Sequence, residues 1–205
     1  MMIPYECFFK IFNYFRNDYK NLFSCLLVNR QWCRIIVPIL WSEPSRDFSD
    51  PRLIKIYLLA LNVEERARLT PFKIIFPNYP RPLFDYSTFT THVGDLYDGI
   101  KYWLDERREK DNYCTQDDES ANAVYDSLVT MFLRTSKKLK YLTLNRAFNK
   151  IIFEDLCINT TITCLNFRSG YLDSKVIQRL NDIFIKNTTL SFLNLSHNQL
   201  GTGEE

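Results

Sequence analysis

The sequence predicts an α/β protein: a small all-helical module, then a helical middle region, then a short series of strand–helix repeats. Of the first 41 residues 26 are apolar, against 46% of the whole 205-residue chain, and their spacing is helical. Over residues 139–205 one leucine-based pattern occurs three times, which is typical of repeat proteins. We place the boundaries of the three parts at 1–42, 43–136 and 137–205.

The N-terminal module should contain three helices. Pro4 suits the first turn of a helix, where its missing N–H costs nothing, and apolar residues follow it with a four-residue period. Asp18 is a good N-cap for a second helix over 22–28, and Asn29 is one for a third. We expect Pro38 to end the third helix, since the residue before a proline resists helical geometry.

This module carries more large apolar side chains than it can enclose. Three short helices have a poor surface-to-volume ratio, so they cannot bury all of these side chains among themselves. The apolar surface that remains predicts a protein partner or a tightly docked second domain. The alternative is that all of it forms a local core.

Four blocks of this module occur in the order and spacing of a known motif. They are Ile3-Pro4-Tyr5-Glu6, Ile11 to Phe15, Leu27 to Trp32, and Leu40-Trp41. Together they resemble the F-box, over about residues 3–41. Ile3 and Phe15 replace leucines of the usual pattern, and both are apolar substitutions of workable volume.

The resemblance implies that the module binds a Skp-family adaptor, and through it the cullin and RING subunits of a ubiquitin ligase. An F-box buries its Leu-Pro pair and the apolar residues of its first helix against the adaptor. Carried over, the adaptor contacts would be Ile3, Pro4, Phe8, Ile11, Phe12 and Val28. Trp32 and Trp41 would divide between adaptor contact and holding the helices together.

The C-terminal pattern fits the leucine-rich-repeat template. Residues 190–200 match L-x-x-L-x-L-x-x-N-x-L at every fixed position, and weaker copies begin at Leu139 and Ile162. The spacings of 23 and 28 residues are usual for such repeats, and helices are expected over 152–158 and 176–185. Because a single unit cannot close its core, the units should stack into a short solenoid.

Residues that flank the inward leucines should point out of the same strand face and stack in columns. Solenoids bind partners on that face, so we predict a partial substrate surface; ordinary solvent-facing strand residues are the alternative. The nine residues are Tyr141, Thr143, Asn145, Cys164, Asn166, Arg168, Phe192, Asn194 and Ser196. The sequence stops without a polar capping repeat, which suggests a truncated solenoid.

The middle region is less regular. Helices are expected over 53–69 (one or two), 96–104 and 124–133, and a strand over 72–76. The remaining stretches should be loops or linkers, rich in proline, serine or charge. They are 43–50, a linker; 77–82, a rigid connector or a docking peptide; and 105–120, a mobile loop or a helix tip.

Composition excludes several classes of function. A net charge of +2 does not support nucleic-acid binding through a basic surface or polybasic membrane attachment. Glu6 and Lys10 interrupt the apolar start, and no apolar stretch is long enough for a membrane span, so we expect a cytoplasmic or nuclear protein. Its six cysteines should then be reduced.

The sequence offers little support for an enzyme. It has no glycine-rich phosphate loop, no Cys-x-x-Cys pair and two histidines outside any ligand motif, so we expect no catalytic residues, no metal and no cofactor. The leading hypothesis is a substrate-recognition subunit of an SCF-type cullin ubiquitin ligase, with an unknown protein substrate. The alternatives are a non-degradative interaction scaffold and a truncated fragment of such a receptor.

Overall fold

The computed structural model describes residues 4–43, 50–76, 80, 82–106, 116–144, 149–167, 171–172 and 174–200. It is mostly helical and contains a small parallel sheet. No helix within these ranges is both long and apolar enough to cross a membrane.

Three helices form the N-terminal module: α1 (Tyr5–Tyr14), α2 (Tyr19–Leu26) and α3 (Arg30–Leu40). Both predicted N-caps are confirmed. Asp18 accepts a hydrogen bond from the Asn21 backbone N–H at 3.2 Å, and Asn29 accepts one from that of Trp32 at 2.9 Å. A small core closes between the helices, made of Phe12, Leu22, Ile35, Ile36 and Ile39.

The prediction that Pro38 ends the third helix is wrong, since α3 continues to Leu40. The proline lies in the last turn, where its missing N–H removes a single hydrogen bond. The Trp41 N–H still donates to the Val37 carbonyl at 3.0 Å. Burial of Val37 and Ile39 offsets the local cost of the proline.

The middle region contains α4 (Pro51–Leu58), α5 (Val63–Ala67), α6 (Tyr97–Asp105) and α7 (Gln116–Thr135). The three predicted helical stretches are therefore confirmed, and 53–69 forms two helices. Of the stretch 105–120, predicted to be a mobile loop or a helix tip, residues 116–120 form the start of α7, in agreement with the second alternative. Most residues of the other predicted loops, 44–49 and 77–79 included, lie outside the described ranges.

The strand predicted over 72–76 is wrong. A 3₁₀ turn occupies Thr70–Phe72, and Lys73 adopts a left-handed conformation with φ 51°. Pro71 fixes its own φ in the range that a 3₁₀ turn uses, so the chain turns here instead of extending.

The C-terminal region alternates strands with two helices, α8 (Lys150–Ile158) and α9 (Ser174–Lys186). Four strands form a parallel sheet in the order β1-β2-β3-β5, and two more form a parallel pair, β4-β6. The strands are β1 (His92–Val93), β2 (Tyr141–Leu144), β3 (Cys164–Phe167), β4 (Tyr171–Leu172), β5 (Phe192–Asn194) and β6 (Gln199–Leu200).

The register of this sheet follows the leucine pattern. Leu142 is paired with Leu165, and Leu165 with Leu193. Leu142 and Leu165 are buried against the helices, and they share one continuous core with residues from α4 to α9. Strand β1 was not predicted; it comes from the middle region and extends the sheet beyond β2.

The N-terminal module continues directly into this sheet. The Thr91 N–H donates to the Ser42 carbonyl at 2.8 Å, and the Tyr141 N–H donates to the Thr91 carbonyl at 3.1 Å. Trp41 stacks on Tyr86 with ring centroids 4.0 Å apart. The end of α3 is thus joined to the strand edge by backbone hydrogen bonds and by an aromatic stack.

The sequence Asn-Thr-Thr occurs at 159–161 and at 187–189, in both cases where a helix turns into a strand. The Asn159 side chain accepts hydrogen bonds from the N–H groups of Thr161 and Ile162, and Asn187 does the same for Thr189 and Leu190. Each asparagine therefore fixes the turn that leads into the next strand.

Candidate protein-interaction surfaces

A continuous part of the N-terminal module exposes large apolar side chains, each between 40% and 86% accessible. We call this set the N-terminal apolar surface. It comprises Tyr5, Phe9, Ile11, Tyr14, Phe15, Tyr19, Phe23, Leu27 and Val28. Soluble monomeric proteins seldom expose so many large apolar residues within one short segment, so a partner is expected to cover them.

Helical geometry explains why these side chains stay outside. Phe8 and Phe12 turn inward and pack on Trp32, with ring centroids 5.9 and 4.9 Å from it. On α1, Tyr5 and Phe9 stack on each other at 6.5 Å and remain exposed. A helix that is apolar on two sides can turn only one of them to a three-helix core.

The charges of the module favour an acidic partner. Among its described residues, Arg16 is paired with Glu43 at 2.6 Å, and Asp18 caps α2. The side chains left without such a role are Glu6, Lys10, Lys20, Arg30 and Arg34, which are mostly basic. Basic residues around an apolar patch steer an acidic surface toward it.

The predicted adaptor contacts fall into three groups. Pro4, Ile11 and Val28 are exposed, and Phe8 and Trp32 are half-buried. Phe12 is only 3% accessible and belongs to the internal core, which leaves it little surface for a partner. Ile3 lies outside the described residues.

Trp41 has a different environment. It packs on Tyr57 and Tyr86 of the middle region, with centroid distances of 5.9 and 4.0 Å. Its place is therefore the junction between the module and the rest of the chain. Sequence reasoning had left open whether this tryptophan contacts a partner or holds the fold together.

The second candidate surface is the outer face of the parallel sheet. The register aligns Tyr141, Cys164 and Phe192 in one column, and Thr143, Asn166 and Asn194 in the next. The stacking of these two predicted columns is confirmed. In the third column Asn145 and Arg168 lie outside the described residues, while Ser196 is exposed in the turn after β5.

The columns differ in what they offer a partner. Tyr141 and Phe192 are about half exposed. Thr143 was predicted to point outward, but it is only 9% accessible, because a short side chain on an inner strand is shielded by its neighbours. Burial raises the pKa of the Cys164 thiol, which favours its protonated form.

His92 is a member of this surface that sequence reasoning missed. It is paired with Tyr141 in the sheet register, and the two rings stack at 5.3 Å. The column therefore runs across four strands as His92, Tyr141, Cys164 and Phe192. A two-residue strand carries too short a pattern to be seen in the sequence.

Asn198 occupies the asparagine position of the repeat template. Its amide donates to the carbonyls of Phe167 and Leu195, both at 2.7 Å. It thereby ties the turn after β5 to the end of β3. Within the part of the chain that the structure describes, no group of three or more His, Cys, Asp or Glu residues could hold a metal ion.

Comparison with known families identifies the N-terminal module. Residues 2–47 match the family model described as F-box-like. Domains of this kind typically bind Skp-family adaptors, which indicates a role in SCF-type ligase complexes. No curated protein and no solved structure gives a significant match to the chain.

Proposed function

We propose that this chain is a non-catalytic substrate receptor of an SCF-type cullin ubiquitin ligase. The observation that carries the proposal is that the described residues of the F-box-like segment expose nine large apolar side chains. Docking of a Skp-family adaptor would cover them. Catalysis would belong to other subunits, and this chain would contribute proximity between substrate and ligase.

The size of the exposed surface supports adaptor docking. Full burial of one large apolar side chain stabilises a complex by about 1.5–3 kcal/mol. Nine half-exposed side chains would then contribute on the order of 10 kcal/mol, which is comparable to the cost of association. The basic residues around them would add specificity for an acidic adaptor surface.

The junction between the two surfaces supports a positioning role. Backbone hydrogen bonds join Ser42 to Thr91 and Thr91 to Tyr141, and the Trp41–Tyr86 stack braces them. A substrate bound on the sheet would be held at a defined distance from the adaptor. A flexible joint would lose part of that proximity effect.

For the C-terminal region we propose a short leucine-rich-repeat stack whose outer strand face binds the protein substrate. The parallel register, the buried leucines and the asparagine-capped turns support this assignment. Tyr141 and Phe192 would be the main contacts, because they are the large exposed aromatics of this face and aromatic residues are common among hot spots.

The first test is co-expression of the full chain with a Skp-family adaptor, followed by co-purification. We expect a stoichiometric complex from the wild type and none from the double variant Pro4→Ala, Ile11→Ala. Val63→Ala is a matched control, because Val63 is 84% exposed but lies outside the module. Unchanged adaptor binding in the double variant would contradict the assignment of this surface.

The substrate role needs a separate experiment. Proximity labelling in cells would compare the wild type with the variant Tyr141→Ala, Phe192→Ala, with and without a proteasome inhibitor. A substrate should be labelled by the wild type alone and should accumulate when the proteasome is blocked. Labelled partners whose abundance does not change would indicate a non-degradative scaffold instead.

A further inference from the structure

A polar cleft lies on the helical side of the C-terminal region, between α5, the end of α7 and α8. Its volume is about 640 Å³, and neither proposed surface includes it. Arg68, Thr130, Lys137 and Asp155 supply its polar wall, and Leu133 and Ile151 supply apolar wall. A space of this size accommodates a short peptide segment.

Among the described residues, two that line this cleft each carry a buried polar atom for which no hydrogen-bond partner is found. One is Nη1 of Arg68, and the other is the hydroxyl of Thr130. Thr130 as a whole is only 7% accessible. A buried unsatisfied donor is costly, and a cationic one especially so, which makes two of them in one cleft a sign of a missing acceptor.

The nearest acidic side chains do not supply that acceptor. Glu65 is already bound by Arg134 through two hydrogen bonds of 2.8 and 2.9 Å, and by the Asn62 backbone N–H at 2.8 Å. Asp155 lines the cleft from α8 and interacts with the charge of Arg68, but among the described residues no ion pair within 4 Å joins the two. Burial raises the pKa of Asp155, and nearby Arg68 lowers it only in part.

We infer that the cleft binds a short peptide segment that carries one carboxylate. The carboxylate would accept hydrogen bonds from the Arg68 guanidinium and the Thr130 hydroxyl, while a backbone N–H of the peptide would donate to Asp155. Lys137 adds positive charge at the rim, and Leu133 takes an apolar neighbour. A planar carboxylate suits a guanidinium. Asp155 and Glu64 would repel a doubly charged phosphate more strongly than a singly charged carboxylate.

The test is a calorimetric titration of the full-length chain with four probes. Two carry a carboxylate: acetyl-Ala-Glu-Ala-amide, with a side-chain acid, and acetyl-Ala-Ala-Ala with a free C-terminus. Acetyl-Ala-Gln-Ala-amide is the neutral control, and inorganic phosphate is the fourth. At least one acidic peptide should bind and the neutral peptide should not. The preferred acid identifies whether a chain terminus or an internal residue is recognised.

Variants locate the binding. Arg68→Met and Thr130→Val should each lower the affinity for the acidic peptide about tenfold or more, as expected for loss of a hydrogen bond to a charged group. Lys150→Met is a matched control, since Lys150 lies on α8 with an 82% exposed side chain. Three results would overturn the inference. The wild type could fail to bind either acidic peptide, the Arg68 and Thr130 variants could bind it as tightly as the wild type does, or the wild type could prefer phosphate.

A melting measurement separates this site from a merely structural cleft. Because the Thr130 hydroxyl lacks a partner, unliganded Thr130→Val should melt at the same temperature as the wild type or higher. It should do so while losing peptide affinity. A lower melting temperature together with unchanged peptide affinity would show that the hydroxyl serves the fold, and the inference would fail.

Discussion

The N-terminal module and the C-terminal strand–helix region differ in how many of their large apolar side chains they bury. In the sheet, Leu142, Leu144 and Leu165 are buried between strands and helices, while Leu195, just after the edge strand β5, is 39% exposed. Among the described residues of the module, nine large apolar side chains are exposed around a core of five buried ones. Apolar content therefore does not report burial by itself; the number of packed layers decides how much of it the chain can enclose.

The same substitution made in both regions tests this contrast and should give the largest effect. Leu165→Ala removes a fully buried side chain of β3, so it should lower the free energy of unfolding by about 2–5 kcal/mol. Leu27→Ala removes one that is 67% exposed and should cost less than about 0.5 kcal/mol. Urea denaturation of the two variants measures both values, and equal losses would refute the contrast.

A second prediction concerns what the exposed apolar residues are for. Val28→Asp places a charge on the N-terminal apolar surface, where Val28 is 59% exposed. Adaptor affinity should fall by about 2 kcal/mol or more, as for a hot-spot residue, because the charge would be buried unpaired in the complex. Titration of the purified variant with the adaptor measures the loss.

The control for this variant is its own stability. Thermal unfolding of Val28→Asp without adaptor should resemble that of the wild type, since the residue lies outside the module core. A destabilised variant that keeps full adaptor affinity would mean that Val28 belongs to the fold and not to the interface.

The smallest expected effect is a pH dependence in the strand–helix region. Burial raises the pKa of Asp155 above its usual 3.8, so the folded state binds this proton more tightly than the unfolded state does. The stability contributed by the protonated carboxyl is therefore present at low pH and lost as pH rises through the raised pKa. The substitution Asp155→Asn should remove this part of the dependence of folding stability on pH. A stability profile from pH 3 to pH 7 that is unchanged by the substitution would contradict it.

Local chemistry was enough to predict several features of this structure. The caps at Asp18 and Asn29 depend on a side chain and a backbone N–H three residues away, so nearby sequence specifies them. The pairing of Leu142 with Leu165 follows from a period of two residues within strands and a fixed spacing between repeats.

Features that depend on distant residues were missed or misjudged. Strand β1 exists because His92 and Val93 meet β2 almost fifty residues later, and α3 passes Pro38 because Val37 and Ile39 are buried. The burial of Phe12 and Thr143 likewise depends on which residues of other elements pack against them. None of these has a signal in its own neighbourhood.

By itself, therefore, the sequence determined the helices of the module, its excess of apolar residues, and the repeat that aligns the strands. These depend on spacing and on contacts within a few residues. Only the tertiary structure decided which of the aromatic residues remain exposed, where Trp41 is placed, and that Arg68 and Thr130 meet in one cleft. The physical reason is that burial and pairing depend on which distant elements come together, and that depends on the whole chain.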